Sequence, residues 1–264
     1  MESKKIQNTE CFLFDLDGTV YLGDELLPGS RELLEYLDEN NWPYFFLTNN
    51  SSRSRAAYSL KLAKYKLEIP EDKIFSSGMA TAIYLKKQKP GARIYLVGTP
   101  SLEEEFRVYG FNLVNQDPDY VVLGFDTTLT YEKIWRLTDF LMEGRPYIAT
   151  HPDINCPTPN GFMPDIGAMM AMIKASTGRD PDIVVGKPHA PMVEAIVELT
   201  GYKPENLTMV GDRLYTDIAM GTAGIQTVLV LSGETNIEDL VSAPNQPNLV
   251  CENLGDLLLH LKII

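Results

Sequence analysis

The run Phe12-Leu13-Phe14-Asp15-Leu16-Asp17-Gly18-Thr19 decides how the rest of the chain is read. An apolar stretch leads into two aspartates two residues apart, with Gly and Thr directly behind them. The apolar part predicts a buried strand. Side chains two apart in an extended chain point to the same side, so Asp15 and Asp17 can face one small site at the strand's carboxyl end. Gly18 permits a turn, or a close approach of the backbone to a ligand. The same residues also suit a plain solvated strand end, because Asp-Gly is a common turn pair. The rest of the chain has to separate the two readings.

Working outward, strands and helices alternate. A strand at Cys11–Phe14 is followed by a helix at Ser30–Glu39, with Leu33, Leu34 and Leu37 at helical spacing behind Pro28-Gly29. Residues 44–47 predict a second strand, and 73–76 a short third one. Between them, Thr48-Asn49-Asn50-Ser51-Ser52 is rich in helix-capping residues and predicts a helix from about 52 to 66. Further on, strands are predicted at 93–97, 120–124 and 147–150, and helices at 80–87, 102–109, 131–143 and 166–177. Gly178-Arg179-Asp180-Pro181 reads as a linker. The last part predicts strands at 183–185, 207–210, 227–231 and 249–251, and helices at 191–200, 216–221 and 255–262. Such alternation is the pattern of an α/β fold with a parallel sheet covered by helices. Acid-tipped strands occur in both outer pieces and not in the middle. One core built from residues 1–78 and 183–264 is therefore expected, with 79–182 inserted as a second domain.

The chain has 264 residues, 44% of them hydrophobic, enough for a sizeable core in one or two domains. No apolar run is long enough to predict a transmembrane helix. The polar, charged start and the short apolar run after it do not read as a signal peptide. A formal net charge of −13 disfavours nucleic acid and anionic membranes as partners, and leaves room for a small anionic substrate only where the site carries local positive charge. Cys11, Cys156 and Cys251 are scattered, with no C-x-x-C spacing, which argues against a disulfide framework or zinc site and suits a reducing cytosol. His151, His189 and His260 have no spacing that suggests a shared metal.

Asp212 and Asp217 form the second acidic group. Asp212 ends the apolar run Met209-Val210-Gly211, and in open parallel sheets ligands bind outside the carboxyl ends of strands. Asp15, Asp17 and Asp212 meet there if their strands are neighbours. Asp217 also suits a helix start, where the dipole favours a carboxylate. Carboxylates without His or Cys select Mg²⁺ over zinc, and crowded carboxylates need a cation to share a site. Lys187, in Gly186-Lys187-Pro188, can supply another positive charge. A lone lysine before proline is ordinarily exposed, but this one follows a strand-like run. Thr48-Asn49 ends one strand and opens a helix, which makes either an anion site or a simple helix cap.

Asp15-x-Asp17-Gly18-Thr19, Thr48-Asn49, Gly186-Lys187-Pro188 and Gly211-Asp212-x-x-x-x-Asp217, in that order, resemble the haloacid dehalogenase superfamily of phosphatases. Leu47-Thr48-Asn49-Asn50-Ser51, the long insertion before Lys187 and Thr158-Pro159-Asn160-Gly161 look like its class IIA cap group, which includes NagD-like and 4-nitrophenyl phosphatase-like enzymes. The resemblance runs through nearly the whole chain. It implies a Rossmann-like core with an inserted α/β cap. It further implies a Mg²⁺-dependent phosphatase acting on small phosphate monoesters such as nucleotide monophosphates, sugar phosphates or aryl phosphates. Asp15 would attack phosphorus, Asp17 would act as acid and base, and Thr48, Asn49 and Lys187 would hold the phosphoryl group. Asp15, the main-chain carbonyl of Asp17 and Asp212 would bind the metal, with Asp217 in support.

In the cap, the loop Thr150-His151-Pro152-Asp153 is the candidate for substrate contact, through His151 and Asp153, with an ordinary loop histidine as the equal alternative for His151. Many relatives carry Asn in place of His151. Phe162-Met163-Pro164 is expected to pack, with a position facing the site as the alternative. Caps of this kind can form homodimers, and a cytoplasmic location is expected. Two alternatives stay open: a phosphotransferase or phosphomutase on the same scaffold, and a non-catalytic binding protein. Dehalogenase chemistry would leave Asp17, Asp212 and Asp217 without a task.

Overall fold

The computed structural model describes residues 6, 8–158 and 160–262. Residues 1–5 and 7 of the polar start, and Pro159 of the Thr158–Gly161 turn motif, lie outside the described residues. Two parallel sheets organise the chain. The strands in chain order are β1 (Cys11–Phe14), β2 (Tyr21–Leu22), β3 (Glu25–Leu26), β4 (Tyr44–Thr48), β5 (Ile74–Ser76), β6 (Arg93–Val97), β7 (Asn112–Leu113), β8 (Tyr120–Leu123), β9 (Tyr147–Ala149), β10 (Asn155–Thr158), β11 (Gly161–Pro164), β12 (Ile183–Val184), β13 (Leu207–Gly211), β14 (Gln226–Val230) and β15 (Leu249–Cys251). The first sheet has the order β15-β14-β13-β1-β4-β5, with β1 between β13 and β4. The second has the order β12-β9-β8-β6-β7. All pairings within both sheets are parallel. Two small antiparallel hairpins, β2–β3 and β10–β11, stand apart from them.

The helices are α1 (Ser30–Glu39), α2 (Arg55–Lys64), α3 (Ser77–Gln88), α4 (Pro100–Val108), α5 (Tyr131–Met142), α6 (Ile166–Thr177), α7 (Ala190–Thr200) and α8 (Leu254–Leu261). Their apolar faces divide the core into three clusters. Leu33, Leu34 and Leu37 of α1 pack with Leu257, Leu258 and Leu261 of α8 on one face of the first sheet. On its other face, α3 and α7 share a cluster with Leu13 and Leu47 of the first sheet and Ile94, Val122 and Ile148 of the second. The far face of the second sheet is covered by Leu137 and Leu141 of α5 and Ile166 and Ile173 of α6. Each fully buried Leu, Ile or Phe side chain contributes roughly 1.5–3 kcal/mol relative to exposure, so the middle cluster holds the two sheets together firmly.

The structure differs from the sequence reading at several points. β12 does not resume the terminal core; it pairs with β9 at the edge of the inserted sheet. Gly178 caps α6 in the left-handed region, and Asp182 then exchanges bonds with the Tyr147 main chain, which docks this strand beside β9. The expected linker at 178–181 is thus an internal turn. The helix after β4 starts late, at Arg55, where Ser54 accepts from the Ala57 N–H. The expected helix at 216–221 is a 3₁₀ segment, Ile218–Ala223. Phe162 does not pack: it stands on the β10–β11 hairpin, 70% exposed. Among the described residues, no helix is long and apolar enough to cross a membrane.

Candidate active site

Strand register determines what meets at the site. Phe14 stands opposite Val210 of β13 and Phe46 of β4. The residues just past those positions therefore emerge together: Asp15 after β1, Thr48 at the end of β4 and Asp212 after β13. The Asp15 N–H donates to the Val210 carbonyl (2.9 Å), extending the ladder by one residue. Asp15, Asp17, Thr48, Asn49, Lys187 and Asp217 line one narrow pocket. The two aspartates of the opening stretch do face a common site.

Lys187 is almost wholly buried and points inward. Its Nζ donates to Asp15 Oδ1 (2.6 Å), Asp217 Oδ1 (2.7 Å) and the Leu47 carbonyl (2.9 Å), using all three ammonium hydrogens. Burial works against its charge, but Asp15 and Asp217 outweigh that and hold it above the ordinary lysine range. Thr48 is buried and lines the pocket; its Oγ1 accepts from the Asn50 N–H (3.1 Å) in a local turn, while the cap of the following helix falls to Ser54 and not to Thr48. The Asn49 amide is spent on protein. Its Oδ1 accepts from the Lys187 N–H (2.8 Å) and its Nδ2 donates to Asp153 (2.8 Å). A substrate contact through that side chain is therefore displaced by a structural one.

Asp17 turns toward a different environment from Asp15. The Tyr21 hydroxyl donates to its Oδ2 (3.2 Å), and Lys61 Nζ lies 3.9 Å from its Oδ1 and 3.7 Å from the centre of the Tyr21 ring. Burial is the main cause that raises the Asp17 pKa; Lys61 opposes it and the Asp15 charge adds to it. A carboxyl so shifted is suited to carrying a proton. Gly18 sits at φ +93°, and a Cβ there would fall 2.5 Å from Asp212 Oδ2. Only glycine both adopts that backbone and leaves room for the carboxylate.

Asp212 accepts from the Glu234 N–H (2.7 Å) and the Thr19 hydroxyl (3.4 Å). Ligand atoms of Asp15, Asp212 and Asp217 lie within 4.8 Å of one another, all buried. Burial, then the charges of Asp15 and Asp217, push the Asp212 pKa well up. Burial also raises that of Asp217, against the pull of Lys187. One lysine does not balance three carboxylates. The donor set is all hard oxygen, and it fits a divalent cation of the Mg²⁺ or Ca²⁺ type.

His151 occupies another place than expected. It is fully buried behind the pocket. Its Nε2 lies 3.0 Å from Asp165 Oδ1, a group that only accepts, so Nε2 donates. Its Nδ1 lies 3.0 Å from the Thr150 hydroxyl and 3.3 Å from that of Ser77. Neither ring nitrogen is left for a substrate. Asp153 does line the pocket, with Oδ2 held by Arg213 Nη1 (2.6 Å). Although His151, Asp153 and Asp165 cluster closely, these partners already occupy their ligand atoms.

Arg213, Lys61, Tyr21 and Asp165 escaped the sequence reading. Arg213 had one usable signal, a basic residue directly behind an acid at a strand end. The other three become neighbours of the site only through the β2–β3 hairpin, α2 and the start of α6.

A family model described as haloacid dehalogenase-like hydrolase matches residues 12–112, and a second, HAD-hydrolase-like, matches 184–257. The structure of 4-nitrophenylphosphatase from Thermotoga maritima is 49% identical, with a TM-score of 0.91, over 95% of this chain and 96% of that one. NagD from E. coli K-12 is 30% identical, with a TM-score of 0.87, over 95% and 98% respectively. An acid sugar phosphatase of Staphylococcus epidermidis is 32% identical over 97% of this chain and all of its own length. Taken with the strand-end aspartates and the inserted parallel sheet, these likenesses place the chain in the haloacid dehalogenase-like hydrolases, within their NagD-like, class IIA cap group of phosphoric monoester hydrolases.

Proposed function

We propose that the protein hydrolyses small phosphate monoesters with Mg²⁺ as its cation, by way of an aspartyl-phosphate on Asp15. The observation that carries this reading is the pairing of two carboxylates with divided surroundings: Asp15 held by Lys187, and Asp17 held by Tyr21 near Lys61. An Asp15 oxygen forms the bond to phosphorus as the bond from phosphorus to the ester oxygen breaks. Asp17 gives its proton to that leaving oxygen. A water then attacks the same phosphorus, loses its proton to Asp17, and releases phosphate and the free Asp15 carboxylate. Lys187 and Thr48 position the phosphoryl oxygens. Held by Asp15, Asp212 and the Asp17 carbonyl, Mg²⁺ would supply charge neutralisation on those oxygens, the main requirement of phosphoryl transfer.

The pocket is narrow, which supports a site for the phosphoryl group alone, with the rest of the ester outside. The names of the acid sugar phosphatase and the 4-nitrophenylphosphatase support sugar and aryl phosphates as substrates. The three free cysteines are all buried, and a cytoplasmic location suits them. The test is phosphate release from 4-nitrophenyl phosphate and a panel of sugar phosphates, with Mg²⁺ and with excess chelator. Turnover that stops in chelator and returns with Mg²⁺ is expected; full activity in chelator overturns the metal assignment.

A further inference from the structure

Five buried residues form a closed ring of hydrogen bonds around the pocket. Asn49 Nδ2 donates to Asp153 Oδ1 (2.8 Å), and Asn49 Oδ1 accepts from the Lys187 N–H (2.8 Å). Lys187 Nζ donates to Asp217 Oδ1 (2.7 Å), and Asp217 Oδ2 accepts from the Arg213 N–H (3.1 Å). Arg213 Nη1 donates to Asp153 Oδ2 (2.6 Å), which closes the circuit. None of the five is more than 7% exposed. Asp153 alone comes from the loop after β9. Without it, the Asn49 amide and the Arg213 guanidinium face each other as donors.

That loop is itself fixed. The Gly167 N–H donates to the Asp153 carbonyl (2.8 Å), and the Gly186 N–H donates to the Thr150 carbonyl (2.8 Å). The Thr150 and Ser51 hydroxyls meet at 3.0 Å. A carboxylate is also the wrong sign to bind phosphoryl oxygens. We infer that Asp153 is a positioning residue: it docks the cap onto both walls of the pocket and thereby fixes Lys187 against Asp15. The inference rests on the phosphatase reading for its catalytic consequence, but not for the ring itself.

Asp153→Asn opens the ring with little change in shape, because an amide has one acceptor and both partners are donors. Arg213→Met opens it from the other side. The experiment compares kcat and KM for 4-nitrophenyl phosphate, together with melting temperature, in wild type, each single variant and the double variant. Each single change is expected to lower kcat about tenfold or more while KM moves less than about threefold, and the double variant to be no worse than about threefold below the poorer single one. A rise in KM with kcat retained makes Asp153 a substrate ligand and overturns the inference. So does a lowered melting temperature with kcat intact, or losses that multiply in the double variant. If Asp153→Asn does not fold, Arg213→Met decides by the same split between kcat and KM. An inactive wild type counts against the phosphatase reading alone. The same cycle on melting temperature then tests the ring: non-additive losses support it and additive ones overturn it.

Discussion

Glu105 offers a stability prediction whose size and pH dependence both follow from the structure. It lies on α4 against α3, 9% exposed, and its Oε2 has no hydrogen-bond partner among the described residues. Burial lifts its pKa from 4.5 to about 7, with Arg55 pulling weakly the other way. A carboxyl whose folded pKa is raised favours folding most when protonated. That advantage is complete below the unfolded value of 4.5 and is lost as pH climbs to about 7. At pH 8 the buried charge therefore costs about 3 kcal/mol, and at pH 5 under about 1 kcal/mol. Glu105→Gln removes the charge and keeps the shape. Its gain should approach those figures, or a rise in melting temperature of about 6 °C at pH 8 shrinking to about 2 °C at pH 5. Thermal melts of both proteins across pH 4.5–8 provide the assay. A gain independent of pH, or a less stable variant at pH 8, refutes the claim that an unpaired buried charge resides there.

Three further substitutions probe the site. Lys187→Met leaves Asp15 and Asp217 buried without their cation; kcat/KM should fall at least about 10³-fold and stability by about 3–5 kcal/mol, read by phosphate release and urea unfolding. Gly18→Ala forces a Cβ into the left-handed region and against Asp212, and should cost about 1–3 kcal/mol together with most of the activity. His151→Ala removes the imidazole partner of Asp165 and Thr150, which keep only the Ile166 N–H and the Ser51 hydroxyl, and should destabilise by about 1–3 kcal/mol, while relative rates across a substrate panel stay the same; a changed substrate profile would restore His151 to a direct contact.

Much of the core was legible because its signals are local. Cys11–Phe14 and Leu207–Gly211 are apolar runs long enough to read as buried strands, and their acids mark the ends. Lys187 had one local sign of burial, the strand-like run before it, and needed the motif order to be read as inward, because a lysine before proline is ordinarily exposed. The second sheet and its surroundings were less legible. Ile183–Val184 is too short and apolar to declare its sheet, and only pairing with β9, far away in sequence, assigns it. The β10–β11 hairpin contains Pro157 and exposes its second strand throughout, so neither alternation nor β propensity marks it. His151 and Asp153 sit in one tetrapeptide and read alike as polar loop residues. Their difference arises from what packs around them: Ser77, Thr150 and Asp165 about the imidazole, Asn49 and Arg213 about the carboxylate. Such convergence has no trace in spacing.

The most direct test of the chemistry is turnover by Asp15→Asn. The substitution keeps an oxygen for the Lys187 bond and the main-chain bond to Val210, so the fold should persist. An aspartyl nucleophile predicts that the folded variant, with Mg²⁺ present, loses at least about 10³-fold in kcat toward 4-nitrophenyl phosphate. Near-normal hydrolysis by that variant contradicts it.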